Sequence, residues 1–243
     1  MNRFTYDLHV HSCLSPCADN DNTPNNLAGM ATLNHIEIMA LTDHNTTKNC
    51  PAFFEAAKRY GIIPVPGMEL TTAEDIHVVC LFETLEDAMA FDEEIGTRRI
   101  RIPNRKDIFG DQLILNGEDE PIGEEPDLLS NATTVSLEEV PSIVEKYRGV
   151  SYPAHIDREA NGAIAVLGTF PETPYFSAAE LHFSKNREPY RQEFPILQKK
   201  KIVISSDEHY LGDLREENDS IELEDEPYSS ALIRKRLIDY LRS

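Results

Sequence analysis

The stretch "FTYDLHVHSCLSPCADND", residues 4–21, sets two histidines two positions apart in a run of alternating apolar and polar side chains. Successive residues of a strand point to opposite faces, so Phe4, Tyr6, Leu8 and Val10 read as the apolar side and Asp7, His9 and His11 as the other. Two imidazoles and a carboxylate sharing a face point to metal binding, because neutral imidazole is the commonest nitrogen ligand of zinc and similar ions. The remaining ligands must come from elsewhere in the chain.

With 243 residues, 40% of them hydrophobic, the chain is long enough for one large core, and residues 1–243 are expected to form a single α/β domain. Its four cysteines, Cys13, Cys17, Cys50 and Cys80, are too few for a disulfide framework and read as thiols or ligands, with Cys50 and Cys80 as ordinary core residues. There is neither a run of 18 apolar residues nor a basic-then-apolar leader, so a cytoplasmic protein without a membrane partner is expected. The formal charge of −20 argues against extended contact with nucleic acid, which relies on Lys and Arg neutralising many phosphates.

Strands and helices alternate along the chain. Thr23-Pro24 supplies a cap and a first-turn proline for a helix to about Asn34, and "IEIMALTDHN" (36–45) reads as a buried strand. A helix from Pro51 to Tyr60 stops at Gly61. Strands follow at 62–70 and 76–82, then a helix from Thr84 to Ile95. Ser136 and Glu139 have capping-box spacing for a helix to Arg148. Residues 150–155, 176–183 and 201–209 read as three more strands, and 228–241 as a closing helix. This rhythm predicts a parallel sheet, either a barrel or a doubly wound one. Residues 98–130, basic and then acidic, and the acidic run 213–226 break it and read as loops or a solvated insertion, the first a candidate lid.

Histidines and acids recur where the predicted strands end: His9 and His11, Asp43 and His44, Glu69, His155, and Asp207 and His209; His77 lies near the start of its strand. In α/β barrels the loops after the strands build the active site at one face, so these groups can meet.

The segments "DLHVHS", "LTDHNT", "GMEL", "DIHVV", "PAHIDR" and "SSDEH", in this order over residues 7 to 209, resemble the successive motifs of the PHP (polymerase and histidinol phosphatase) family. The resemblance implies a distorted (β/α)7 barrel with two or three divalent ions, zinc, manganese or iron, at its mouth. It implies a first ion on His9, His11, Glu69 and Asp207, and a second on Glu69, His77 and His155. A third would take His44, His209 and the residue six after the second opening histidine, here Cys17. Relatives more often carry histidine or a nearby aspartate there, so Asp19 is the alternative. A thiolate ligates zinc or iron readily.

Two ions sharing a carboxylate suit phosphoester hydrolysis, because they lower the pKa of a bridging water and shield the phosphoryl oxygens. The expected substrate is therefore a small phosphorylated metabolite such as a nucleotide, a bisphosphorylated nucleoside or a histidinol-phosphate-like compound, with no long nucleic acid. The alternatives are amidohydrolase-like cleavage, a nuclease acting on nucleotides or short oligonucleotides rather than long strands, and a non-catalytic metal-binding module. Catalysis is assigned to Glu69, Asp207, His182 and Asp43. Arg158 can grip phosphate bidentately or form a simple salt bridge. His182 is a substrate contact, a proton donor or a packed histidine, and Asp43 is expected to orient an imidazole. His35 reads as structural.

Overall fold

The computed structural model describes residues 1–215 and 218–243. In chain order the elements are β1 (Asn2–Val10), α1 (Pro24–Leu33), β2 (Ile38–Leu41), α2 (Cys50–Tyr60), β3 (Ile63–Thr71), β4 (His77–Leu81), α3 (Leu85–Gly96), α4 (Lys106–Phe109), β5 (Leu113–Leu115) and β6 (Pro121–Glu124). They continue with α5 (Val140–Lys146), β7 (Val150–Pro153), α6 (Ala163–Leu167), β8 (Ala178–Leu181), α7 (Arg187–Glu193), β9 (Lys201–Ile204), β10 (Ser220–Leu223) and α8 (Ser230–Arg242). The predicted start and stop signals operate: Thr23 accepts a bond from Asn26 N ahead of Pro24, Thr84 accepts from Asp87 N, and Gly61 closes α2 at φ 74°, a conformation glycine adopts without steric penalty.

A six-stranded sheet runs β10-β1-β2-β3-β4-β7, and β8 pairs with β9 separately. Single contacts join the two sheets into a curled wall. Ile156 N donates to Glu180 O beyond β7, and Val10 bridges to Glu208 beyond β9. The protein thus has an α/β fold with a curled, TIM-like sheet. The ladders do not repeat as seven parallel strand-helix units. β3 and β4 are antiparallel, joined by a short turn, and β7 is antiparallel to β4. That turn explains His77: Thr71 pairs with His77, so the start of β4 lies at the same end as the close of β3.

Alternate residues of the strands, among them Tyr6, Leu8, Ile38, Ala40, Ile63, Val65, Val79, Leu81 and Tyr152, form one buried cluster with Ile233, Leu237 and Leu241 of α8. Val10 does not join it. It packs with Met39, Leu27 and Phe53 among α1 and α2. The β1–β2 register shifts between Asp7 and Val10, and this bulge reverses the strand's facing. The expected single apolar side of Phe4, Tyr6, Leu8 and Val10 is corrected accordingly: Leu8 and His9 both serve the interior of the curl. Asp7 does not share the histidine face, and its Oδ1 accepts from the backbone of His9 and Ser206.

The 98–130 segment carries structure of its own: α4, the β5–β6 hairpin, and Leu113 N bonded to Cys13 O. The acidic 213–226 run is not all loop, since β10 within it pairs antiparallel with β1. Ile221 and Leu223 are buried there while Glu222 faces out, an alternation hidden by the surrounding acids. Residues 216 and 217 lie outside the described residues. Among the described residues no helix is long and apolar enough to cross a membrane.

Candidate metal centre

The strands end one to several residues before the functional side chains. β2 stops at Leu41, β7 at Pro153 and β9 at Ile204, so Asp43, His44, His155, Asp207 and His209 sit on loops. Asp207 and His209 therefore do not project from one face of a strand, as their spacing predicts. Instead the chain turns sharply, with φ of 52° at Asn45, 27° at His155 and 51° at Asp207. Non-glycine residues with positive φ are uncommon, and strained backbone of this kind gathers at functional sites.

These turns bring six of the eight histidines around one carboxylate. Glu69, buried at the end of β3, has oxygens 3.3 Å from His9 Nε2, 3.3 Å from His11 Nε2, 3.0 Å from His44 Nδ1, 2.8 Å from His77 Nδ1 and 3.2 Å from His155 Nε2. Asp207 Oδ1 lies 3.2 Å from His11 Nε2 and 3.4 Å from His9 Nε2. His209 stacks on His11 with ring centroids 4.4 Å apart. His35 is away from the site, its carbonyl accepting from Thr5 Oγ1.

The outer nitrogens are held by groups behind the cluster. His9 Nδ1 is 2.8 Å from Glu180 Oε1, and since a carboxylate only accepts, Nδ1 carries a proton and Nε2 is the nitrogen turned towards Glu69 and Asp207. Ser15 Oγ donates to Asp43 Oδ1 at 2.7 Å, so it accepts from His11 Nδ1 at 2.9 Å, and Nε2 is again the nitrogen turned towards Glu69 and Asp207. Asp43 also accepts from Ser12 N and Oγ. Its contact is with the serines that steady His11 rather than with the ring of the adjoining His44. Glu180 and Ser15 were missed as orienting groups. The only signal for Glu180 was an acid inside the apolar run "FSAAEL".

Donor atoms of His9, His11, Glu69 and Asp207 lie within 4.8 Å of one another, as do those of His44, Glu69 and His77, and those of His11, His44 and His209. Glu69 Oε2, Asp207 Oδ1 and His44 Nδ1 are buried with no hydrogen-bond partner, a condition costing about 1–3 kcal/mol per group unless a cation satisfies it. The residues therefore fit divalent metal ions. Burial opposes charge on His9, yet Glu180, Glu69 and Asp207 outweigh it and raise its affinity for a proton well above that of free imidazole; the same carboxylates favour a metal cation at Nε2.

Neither Cys17 nor Asp19 joins these sets among the described residues. Desolvation beside the cluster would raise the Cys17 thiol, although the residue itself is exposed, but the imidazoles of His44, His209 and His11 pull it down to about 5. Asp19 Oδ1 instead accepts from Asp21 N. Arg158 forms an ion pair with Asp207, and its Nη2 lies 3.3 Å from His182. Arg215 reaches the same ring at 3.2 Å. Burial, then Arg158 and Arg215, push His182 down to about 4, so its imidazole is neutral at neutral pH. A cleft at the mouth is lined by His44, Glu69, His77, Arg158 and His209.

A family model for the PHP domain matches residues 7–193, and the chain belongs to that family. Over 81 residues it is 37% identical to the 5'-3' exoribonuclease Rnm of Salmonella typhimurium, 31% of this chain and 27% of that one. Endonuclease Q of Pyrococcus furiosus, a lesion-specific endonuclease, superposes with a TM-score of 0.65 at 16% identity over 96% of this chain and 55% of its own. Endonuclease Q in complex with a 27-mer duplex bearing an abasic lesion at the active site gives 0.67 at 15%, over 96% and 56%. A candidate metal-dependent phosphoesterase of Bifidobacterium adolescentis gives 0.55 at 16%, over 84% and 87%. The chain thus spans under two thirds of the exoribonuclease and of endonuclease Q. These relatives are, by description, hydrolases of phosphoester bonds.

The expectation of a small phosphorylated substrate and no long nucleic acid is overturned by this set, which includes an endonuclease bound to a DNA duplex and a ribonuclease. The error lay in reading a global quantity as a local one. A net charge of −20 sums the whole surface, whereas a strand responds to the local field, and the cleft carries the Arg158 guanidinium at its rim beside a donor set that fits divalent cations.

Proposed function

We propose that this chain is a metal-dependent phosphodiesterase acting on nucleic-acid strands. The observation that carries the reading is Glu69, one buried carboxylate contacted by five imidazoles, an excess of nitrogen donors that no ordinary ion pair requires. In this reading His9, His11, Glu69 and Asp207 hold one divalent ion, and Glu69, His77 and His155 a second. His44, His209 and Cys17 hold a third, with Cys17 preferred to Asp19 because the Asp19 carboxylate is already engaged in its own turn. Zinc, manganese and iron all suit this nitrogen, oxygen and sulfur donor set.

Bound there, the ions supply a nucleophilic water at neutral pH and shield the phosphoryl oxygens. The chain's own residues do the rest. Glu180 and Ser15 fix the tautomers of His9 and His11. Arg158, at the rim, is placed to offer its guanidinium to a phosphate oxygen, exchanging part of its pairing with Asp207 for the substrate. His182, neutral and wedged between two guanidiniums, positions Arg158 and contacts the substrate rather than delivering a proton.

The test is turnover by metal-loaded protein on 5'-labelled RNA and DNA oligonucleotides beside mononucleotides and simple phosphomonoesters. Cleavage of internal or terminal linkages in the oligonucleotides supports the reading. Turnover confined to phosphomonoesters overturns it.

A further inference from the structure

Next to the cleft, in a chain where Asp and Glu outnumber Lys and Arg by 43 to 23, lies a concentration of cations around an exposed ring. Phe183 lies two residues beyond the end of β8 and is 46% exposed. Lys185 Nζ stands 4.9 Å from its ring centroid, the Arg215 guanidinium 6.0 Å, and the His182 ring meets it edge-on at 4.4 Å. The loop is braced from behind: Asp157 accepts from His182 N at 2.7 Å, Phe183 N at 3.1 Å and Asn186 Nδ2 at 2.7 Å. An apolar ring held rigidly at the surface gains nothing from the core.

The cavity beside the ring is lined by Phe183, Lys185, Arg187 and Arg215. Through Arg187 and Asp219 it continues into a second, lined by Arg191, Lys200 and Lys201. Asp219, paired with Arg187, is the one acid lining either cavity among the described residues. The cationic track also connects inward, because Arg215 and Arg158 touch the same His182 ring and Arg158 pairs with Asp207 of the metal centre.

We propose that Phe183 and this track form a single-strand subsite, in which an unpaired base beside the cleaved linkage stacks on the Phe183 ring while the following phosphates run along Arg215, Lys185 and Arg187. The substrate class rests on the phosphodiesterase reading above. An aromatic face with a cationic groove is the usual means of holding single strands without regard to sequence. A duplex offers no free base face to the ring, so the subsite selects unpaired or frayed nucleotides.

The test is fluorescence anisotropy with a labelled oligothymidylate of about eight nucleotides carrying phosphorothioate linkages, titrated with wild type, Phe183→Ala, Phe183→Leu and Arg187→Gln. Losing a stacked base should weaken binding about 5-fold to 100-fold for both Phe183 variants. Arg187→Gln should flatten the salt dependence by roughly one phosphate contact. Phe183→Leu keeps apolar bulk and decides the matter should Phe183→Ala fail to fold, metal content serving as the folding check. Wild-type affinity in Phe183→Leu, or no wild-type binding beyond that of a dinucleotide, overturns the subsite. Normal oligonucleotide cleavage with unaltered affinity in Phe183→Leu defeats the subsite and leaves the phosphodiesterase standing. Affinity that depends on Phe183 in a wild type that cleaves no strand does the reverse.

Discussion

Glu180 Oε1 accepts at once from the His9 ring at 2.8 Å and from the His155 backbone N at 3.1 Å. One buried carboxylate thereby orients the proposed ligand His9 on β1 and braces the left-handed turn that presents His155, a second proposed ligand, after β7. Replacing Glu180 by Gln keeps an acceptor oxygen for both donors but removes the negative charge behind the His9 ring. Groups behind metal ligands commonly contribute 10-fold to 100-fold in affinity, and a loss of about that size is expected in metal affinity and kcat/KM. Metal titration followed by calorimetry checks it; wild-type affinity would show that Glu180 serves packing alone.

Asp43 gathers Ser12 N, Ser12 Oγ and Ser15 Oγ within 2.8 Å. Asp43→Ala leaves three buried donors unsatisfied and frees Ser15 from its orientation under His11. Buried networks broken in this way cost several kcal/mol, about 2–4, so a lower denaturation midpoint with weakened metal binding is expected. A loss of stability with unaltered metal affinity would separate Asp43 from the site.

Gly67 lies in β3 two residues before Glu69. A Cβ there would sit 2.8 Å from Leu81 Cδ2 and 2.9 Å from Cys80 O and Thr42 Cγ2. The Cys80 carbonyl belongs to the paired strand and cannot step aside, so Gly67→Ala should destabilise by about 1–3 kcal/mol, seen as a drop of several degrees in Tm by circular dichroism. An unchanged Tm would mean that β3 and β4 shift more freely than their ladder implies.

Chelation should act on the fold as well as on turnover. Ions bound only by the native state stabilise it by mass action, about 2.7 kcal/mol at a hundredfold excess over Kd. Treatment with a strong chelator should therefore lower the Tm, and restoring the metal should raise it again. Equal Tm values with and without chelator would remove the cluster from the stability of the protein.

The candidate ligands stand out in the sequence because their chemistry is dense: a strand with two histidines, then acids and histidines near later strand ends. Their geometry was less legible. Alternation alone placed Val10 with Leu8, and only the bulge against β2 turns His9 and His11 towards Glu69. His77 looked misplaced until the antiparallel β3–β4 turn brought it to the mouth. The orienting contact of Glu180 with His9 is a meeting of residues 171 positions apart, for which a sequence pattern carries no sign. β10 was hidden because its apolar positions are only two, set among acids.

The most direct test is elemental analysis of purified wild type and Glu69→Gln together with cleavage of a labelled oligonucleotide by each. The account predicts about two or three divalent ions per chain with cleavage in wild type, and loss of both metal and cleavage in Glu69→Gln. Full cleavage by a Glu69→Gln protein that retains its metals, or a cleaving wild type free of divalent ions, would contradict it.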